Sequence, residues 1–334
     1  MKIDYHVHLE EGPYSFQWLK RTVDAISSFN PPTYLKKGSK ELVMWQVDVL
    51  KDRVDGGCYG EKWLDLYLQR AKELGLKEVG IVDHLYRFRQ TRDYFEKNML
   101  LNKEETIGNL QAYWLDRVMT EDMDDFVAAI LRAKDKWSRE GVELKLGIEA
   151  DYFVGCEDEL KELLSGHPWD YVIGSVHFVD GWGFDNPETK DVFNNVDLKE
   201  LYGRFFETIE SAIRSGLFDF VAHLDNLKVF NFRVADEEFN MSWYKRIADA
   251  LVETNTATEV NAGLYYRYPV QELCPGPAFL QVLVDRGVEF TVSSDSHFPD
   301  DLGSYTQENA EMLKSLGVKK LVGFDQRVKR YVEM

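Results

Sequence analysis

Cysteine is nearly absent from this chain: Cys58, Cys156 and Cys274 are the only three in 334 residues, and no two are spaced as CxxC. A local disulfide framework and a sulfur-rich zinc motif are thereby excluded. No apolar run is long enough to span a bilayer, and the N-terminus lacks a basic-then-apolar leader pattern, so the cytoplasm is the expected compartment. Basic charge is in deficit as well, with 40 Lys and Arg against 58 Asp and Glu and a net charge of −18. That balance argues against a sequence-independent grip on nucleic-acid phosphates. A pocket dense in divalent cations would still draw anions, however acidic the exterior. Histidine is scarce too, at seven residues, which makes their positions informative.

What is present is a regular alternation. Apolar runs that read as buried strands occur near 2–8, 78–83, 143–149, 171–176, 218–223, 257–261, 288–294 and 319–324. Amphipathic stretches fill most of the gaps. In "EKWLDLYLQRAKELGL" (61–76), Leu64, Tyr67, Leu68, Ala71 and Leu74 share one helical stripe, and Gly75 closes the helix. A second helix stops near Gly216, before a strand ending at His223. Strand-helix alternation of this kind predicts an α/β protein with a mainly parallel sheet and helices outside it, and 44% hydrophobic residues supply an ample core. Residues 12–60 and 85–140 are longer than a barrel connection needs and are expected to be helical excursions from a single domain spanning 1–334, capping one end of the barrel.

Six of the seven histidines fall at or just past the carboxyl end of an expected strand. His6 and His8 end "DYHVH", His84 ends "VGIVDH", His177 ends "YVIGSVH", His223 ends "FDFVAH" and His297 follows "FTVSSDSH". Residues i and i+2 of a strand share a face, so His6 and His8 project side by side. Carboxylates accompany them: Asp83, Glu149, Asp225 and Asp295. Strand ends of an α/β sheet gather on one face, where sites form. His167 lies in a turn before a strand and is left out. A single histidine at a strand end is more often a structural residue than a ligand, and Asp83 and Asp225 are as readily a cap and an orienting partner. Six imidazoles among buried carboxylates, by contrast, would be costly without cations. Nitrogen and oxygen donors without thiolate suit zinc, manganese or iron.

With these residues in place, the chain resembles the PHP family, the polymerase and histidinol phosphatase superfamily. The matching segments are "DYHVH", "IVDH", "GIEADY", "IGSVHF", "AHLDNLKVF" and "SSDSH", in the family's order. "GSVHFVDGWGFD", "EVNAGLYYRYPVQELCPGPAFL" and "SSDSHFPDDLG" are similar to the histidinol-phosphate phosphatase branch. The resemblance implies a distorted (β/α)7-type barrel, TIM-like, with two helical insertions and two to three divalent metal ions (Mn, Zn or Fe) at its carboxyl-terminal face. It implies one ion on His6, His8, Glu149 and Asp295, with Glu149 bridging to a second on His177 and His223. The third would take His84, His297 and a residue of the loop after the first strand. Many relatives carry a histidine in that loop; this chain has "LEEGPYS", which makes Glu11 the candidate and Glu10 the reserve.

A multinuclear site with open positions suits hydrolysis of a phosphate monoester, with Asp295 and His297 as catalytic groups steadying the leaving oxygen. Cationic side chains are expected near the phosphoryl oxygens. Arg267, at a position where the resembled branch carries an arginine, is the first candidate, followed by Lys228 and Arg87, although surface cations are usually only solvated. Trp182, Tyr265 and Tyr266 are candidates for walling an imidazole. The expected partner is a small phosphorylated metabolite, for which the resemblance implies L-histidinol phosphate first, with another small phosphate as the alternative and no nucleic acid or membrane involved. A nuclease and a non-catalytic metal scaffold are the other classes, disfavoured by the acidity and by the nearly full ligand set.

Overall fold

The structure, a computed structural model, describes residues 2–10, 12 and 14–334. Among these, eleven strands and twelve α-helices form. The strands are β1 (Ile3–His8), β2 (Glu78–Val82), β3 (Glu143–Asp151), β4 (Tyr171–Ser175), β5 (Phe178–Val179), β6 (Trp182–Gly183), β7 (Phe220–Val221), β8 (Ala257–Asn261), β9 (Phe290–Ser293), β10 (Lys320–Asp325) and β11 (Val328–Glu333). Seven of them make one all-parallel sheet in the order β1-β2-β3-β4-β7-β8-β9. The edges meet where His8 donates its N–H to the Ser296 carbonyl at 2.7 Å and Val7 bridges Ser296. Buried Asp4 seals the same seam by accepting from the Ser294 N–H and hydroxyl. The result is a nearly closed seven-stranded barrel whose strands are apolar on both faces, as parallel strands covered by helices must be.

The eighth apolar run departs from the barrel. Residues 320–325 pair antiparallel with 328–333 as a separate hairpin. It covers the barrel end that carries the strands' amino termini: Lys329 bonds Glu289, Arg330 reaches Glu78, and Arg327 reaches Asp219. Phe324 packs with Tyr5, Tyr171 and Phe220 beneath it. The Tyr171 ring needs space that only glycine leaves. A Cβ on Gly80 would sit 2.1 Å from the Tyr171 hydroxyl oxygen and one on Gly147 2.4 Å from its Cζ. With one end plugged, chemistry is confined to the other.

Helices cover the outside. The segment after β1 holds α1 (Phe16–Phe29) and α2 (Lys40–Gly56), then α3 (Glu61–Leu74) leads into β2. Gly75 ends α3 in the left-handed region at φ 69° and takes up the last carbonyls. Between β2 and β3 lie α4 (Arg92–Asn98), α5 (Thr106–Val118) and α6 (Met123–Arg139). The remaining helices are α7 (Glu157–Leu164), α8 (Leu198–Arg214), α9 (Glu237–Thr254), the short α10 (Gly263–Arg267), α11 (Pro277–Asp285) and α12 (Thr306–Ser315). Local chemistry starts several of them: Ser15, Asp122 and Asp197 each accept backbone N–H groups of the first turn.

Candidate metal centre

Every barrel strand delivers a polar side chain to the carboxyl-terminal rim. The i, i+2 alternation of β1 brings His6 and His8 in together, with ring centroids 5.0 Å apart. His84 follows β2, Glu149 and Asp151 end β3, His177 follows β4, His223 follows β7, and Asp295 and His297 follow β9. Two of these bend sharply. His223 sits at φ 27° and Asp295 at φ 53°, left-handed conformations that are unfavourable for side chains with a Cβ and that turn the chain straight back after its strand.

Glu149, fully buried, is the hub. Its Oε2 lies 3.2 Å from His6 Nε2, 3.2 Å from His8 Nε2 and 2.8 Å from His84 Nδ1. Its Oε1 is 3.1 Å from His223 Nε2 and 3.6 Å from His177 Nε2. Asp295 closes the far side, 3.9 Å from His8 Nε2. His8 stacks between His84 and His297 at 4.1 Å and 4.4 Å. Three donor sets converge closely enough to share a cation: His6, His8 and Asp295; His8, His84 and His297; His84, Glu149 and His177. The structure thus brings together His6, His8, His84, Glu149, His177, His223, Asp295 and His297. Glu11 lies outside the described residues. Glu10 is already engaged by the Trp18 indole and the Arg53 guanidinium, so it does not face the cluster as a free carboxylate.

The atoms fit metal ions better than they fit one another. Glu149 Oε2 has three ring nitrogens within 3.2 Å, yet its geometry makes a hydrogen bond with none of them. His6 Nε2 and His8 Nε2 stand 3.0 Å apart. His6 faces Glu259 through Nδ1, which holds its proton there and leaves a lone pair on Nε2. Lone pairs pointed at a common centre are what nitrogen and oxygen ligands present to a cation. Without cations, ring protonation supplies the compensating charge. Burial alone would raise the Glu149 carboxyl, but His84, His6 and His177 hold it well below the carboxylate range. Burial works against protonating His6, yet Glu259, Glu149 and Asp295 raise it, while burial and neighbouring His84 push His8 well below its ordinary value.

Two groups around the cluster, Glu259 and Asp151, carry roles that the sequence reading missed, and for Asp83 and Asp225 the structure favours the orienting role. Glu259, fully buried on β8, contacts His6 Nδ1 at 3.2 Å with both oxygens and accepts from the His223 N–H, Asn261 Nδ2 and Ser293 Oγ. Its signal was an acid inside the apolar strand "ATEVN". Asp151, two residues beyond Glu149 on the same face, takes His177 Nδ1 at 2.8 Å; burial opposes protonation of His177, and Asp151 nevertheless raises it to about 10. Asp83 accepts the His84 N–H and the Tyr59 hydroxyl, which makes it an orienting group. Asp225 accepts the Gly276 N–H and pairs with Lys228, and so orients rather than ligates.

The three candidate cations part company. Arg267, on α10, donates to His297 Nδ1 at 2.6 Å and lies 3.0 Å from Asp295 Oδ2. A guanidinium has no lone pair, so His297 Nδ1 accepts and the ring proton lies on Nε2; the Asp295 carbonyl, at 3.2 Å, is the longer contact. Arg87 is 1% exposed and lines the cleft, but it is wedged between Asp83 and Glu121, 3.4 Å and 3.5 Å away. Lys228 is a correction. Its ammonium is spent on Asp225, Glu272 and the Leu273 carbonyl at 2.6–2.9 Å, and it does not line the cleft.

That cleft, about 1130 Å³, opens over the cluster. Tyr86 and Trp114 form its aromatic wall, with the Tyr86 ring stacked 4.5 Å from His84 and 4.8 Å from Trp114. Of the three aromatics expected there, only Tyr266 lines it. Trp182 is buried and bonds Thr189, and Tyr265 packs against Tyr305.

The PHP domain model matches residues 58–263, a span that omits both β1 and the Asp295–His297 segment which the fold brings to the rim. A probable histidinol-phosphatase of Deinococcus radiodurans is 33% identical over 208 residues, covering 61% of this chain and 77% of that one. One from Clostridium acetobutylicum is 25% identical, covering 71% and 96%. Among solved structures, histidinol phosphate phosphatase from Lactococcus lactis, complexed with zinc, L-histidinol and phosphate, superposes with a TM-score of 0.60 at 15% identity over 98% of each chain. A Listeria monocytogenes protein described as a histidinol phosphatase gives 0.56 at 20% identity over 73% of this chain and 93% of that one. The model match and the Deinococcus relative, together with the rim geometry, lead to one statement: the chain belongs to the PHP domain family, alongside the probable histidinol-phosphatases.

Proposed function

We propose that this protein is a metal-dependent phosphomonoester hydrolase whose substrate is L-histidinol phosphate. The observation that carries the reading is the convergence of five imidazole nitrogens on the two oxygens of Glu149, all within 3.6 Å. His6, His8, Glu149 and Asp295 would hold one divalent ion, and His177, His223 and Glu149 a second. A third position would rest on His84 and His297, with His8 nearby, the His297 ring proton then lying on Nδ1 toward the Asp295 carbonyl. Bound there, such ions supply an acidified water and neutralise charge on the phosphoryl group.

The chain's own residues do the rest. Glu259 and Asp151 fix the ring orientation of His6 and His177. Arg267, already poised at Asp295 and His297, turns its remaining donors to the phosphoryl oxygens as negative charge builds there. Asp295 and His297 together keep Arg267 in line beside the leaving oxygen. Tyr86 and Trp114 offer a flat face to an imidazole ring. The names of the relatives favour histidinol phosphate. The cleft itself leaves room for another small phosphorylated metabolite, since a volume of this size exceeds what one imidazole alcohol phosphate fills. The test is phosphate release from L-histidinol phosphate and from a panel of other phosphomonoesters, before and after chelation, paired with elemental analysis. Two to three metals per chain are expected, with activity lost on chelation and restored by manganese or zinc. A fully active metal-free preparation overturns the reading, and a different best substrate overturns its specificity.

A further inference from the structure

We infer that the outer face of α2 is a self-association surface, on which a second copy of this chain docks antiparallel. Four large apolar side chains of this helix stand in solvent: Val43, Met44, Val47 and Val54 are 55–58% exposed. At 100° per residue they fall on one side of the helix. The opposite side is anchored. Arg53 is buried, pairs with Glu10 at 2.6 Å and stacks on Trp63, while Leu42, Trp45 and Val49 are half-buried against the body. The exposed stripe therefore belongs to a firmly seated helix.

Charge identifies the occupant. Exposed Lys36, Lys37 and Lys40 gather at the amino end of α2, and exposed Asp48, Asp52 and Asp55 run toward its carboxyl end. Lys40 in the first turn and Asp52 and Asp55 near the last oppose the helix macrodipole, which favours acids at the first turn and bases at the last, and Glu41 and buried Arg53 offset this only in part. Local pairing compensates only partly, through Lys51 to Asp55 and Lys62 to Asp52, all of them surface groups more than 60% exposed. A second α2 laid antiparallel sets each lysine end against the other's aspartate end, aligns the two dipoles favourably and places Val47, near the middle of the helix, close to the two-fold axis. Residues 36–56 carry five basic groups (Lys36, Lys37, Lys40, Lys51, Arg53) and four acidic ones (Glu41, Asp48, Asp52, Asp55), so this face is close to neutral on a chain of net charge −18. Two such chains repel almost everywhere else.

One helix face about 25 Å long is small for a permanent dimer, so the dimer forms and dissociates with concentration, in the micromolar range. Sedimentation velocity of the metal-loaded protein from about 1 to about 100 μM reads this directly. The wild type shifts from monomer to dimer, and Val47→Glu stays monomeric. Lys40→Glu and Asp55→Lys each weaken the dimer by about tenfold. Mixing those two variants in equal amounts restores it, because the mixed pair matches opposite charges at both ends. A wild type that stays monomeric throughout, a dimer that survives Val47→Glu, or a mixture no tighter than its components overturns the inference. All three substitutions are on the surface, and circular dichroism of each variant checks that the fold is kept.

Discussion

Glu259 touches no expected substrate atom, yet it holds His6 Nδ1 and the His223 N–H at the same time, one on each side of the cluster. Groups of this kind set ring orientation and ligand basicity. Glu259→Gln is expected to weaken metal binding by about 10–100-fold while leaving the fold intact, measured by competition against a chromophoric chelator. An unchanged affinity would show that His6 is oriented without it. Among the described residues, Arg267 is the one cation in contact with both Asp295 and His297. Arg267→Ala should lower kcat/KM for a phosphomonoester by about 10²–10³-fold, with Arg267→Lys only partly recovered because a point charge cannot engage two partners at once. Metal content should be unaltered in both variants, and a loss of metal would assign Arg267 to the cluster's support instead. At this scale the converging side chains were legible because histidine is rare and six of the seven lie at or just past the end of an apolar run. Lys228 was misread for a related reason. Nothing local to "HLDNLKVF" reveals that Glu272 and Leu273, over 40 residues further on, fold over its ammonium.

Lys228 matters as a joint between elements. It ties the turn after β7, which carries His223, to the loop after α10, which carries Arg267, and Asp225 strengthens the joint by accepting the Gly276 N–H. Lys228→Met leaves the buried Asp225 carboxylate without its cation, at a cost of about 3 kcal/mol or more in urea denaturation. A change within about 0.5 kcal/mol would mean the loops are held without it. A second splice lies at the other end of β7. Asp219 accepts the Val172 N–H at 2.7 Å and pairs with Arg327; burial outweighs both and raises its carboxyl to about 6. Since the folded value lies above the unfolded 3.8, the fold favours the protonated form. Stability from this group is complete below about pH 4 and is lost as pH rises through about 6. Asp219→Asn should therefore remove up to about 3 kcal/mol of pH dependence from that window, read as the difference between wild-type and variant unfolding curves at pH 4 and pH 7. Parallel curves would contradict it. The hairpin that carries Arg327 explains a limit of the sequence reading. Residues 320–325 are as apolar and as buried inside as a barrel strand, and only the choice of partner, β11, sets them apart.

Across the whole molecule, the rim draws candidate metal-binding side chains from residue 6 to residue 297, so no partially unfolded chain can assemble the cluster. Cations bound there stabilise the folded state alone, by RT ln(1 + [L]/Kd), or about 2.7 kcal/mol at a hundredfold excess over Kd for a single site. Removing them leaves the buried carboxylates to be compensated by protonation of His6, whose Nε2 then donates to His8 Nε2 at 3.0 Å in place of the lost cation contacts. Chelation should consequently lower Tm by about 5–10 °C or more, and adding back manganese or zinc should restore it. The control is a protein with His6→Ala and His8→Ala together. It loses the ligands of the first ion, so its melting temperature should start lower and respond much less to chelator. Equal shifts in wild type and control would place the stabilising metal somewhere else in the molecule. An unshifted wild type would mean that the imidazoles and Glu149 hold the barrel closed on their own, through protons shared among buried rings, and the barrel's open end would then be a hydrogen-bonded core instead of a metal centre.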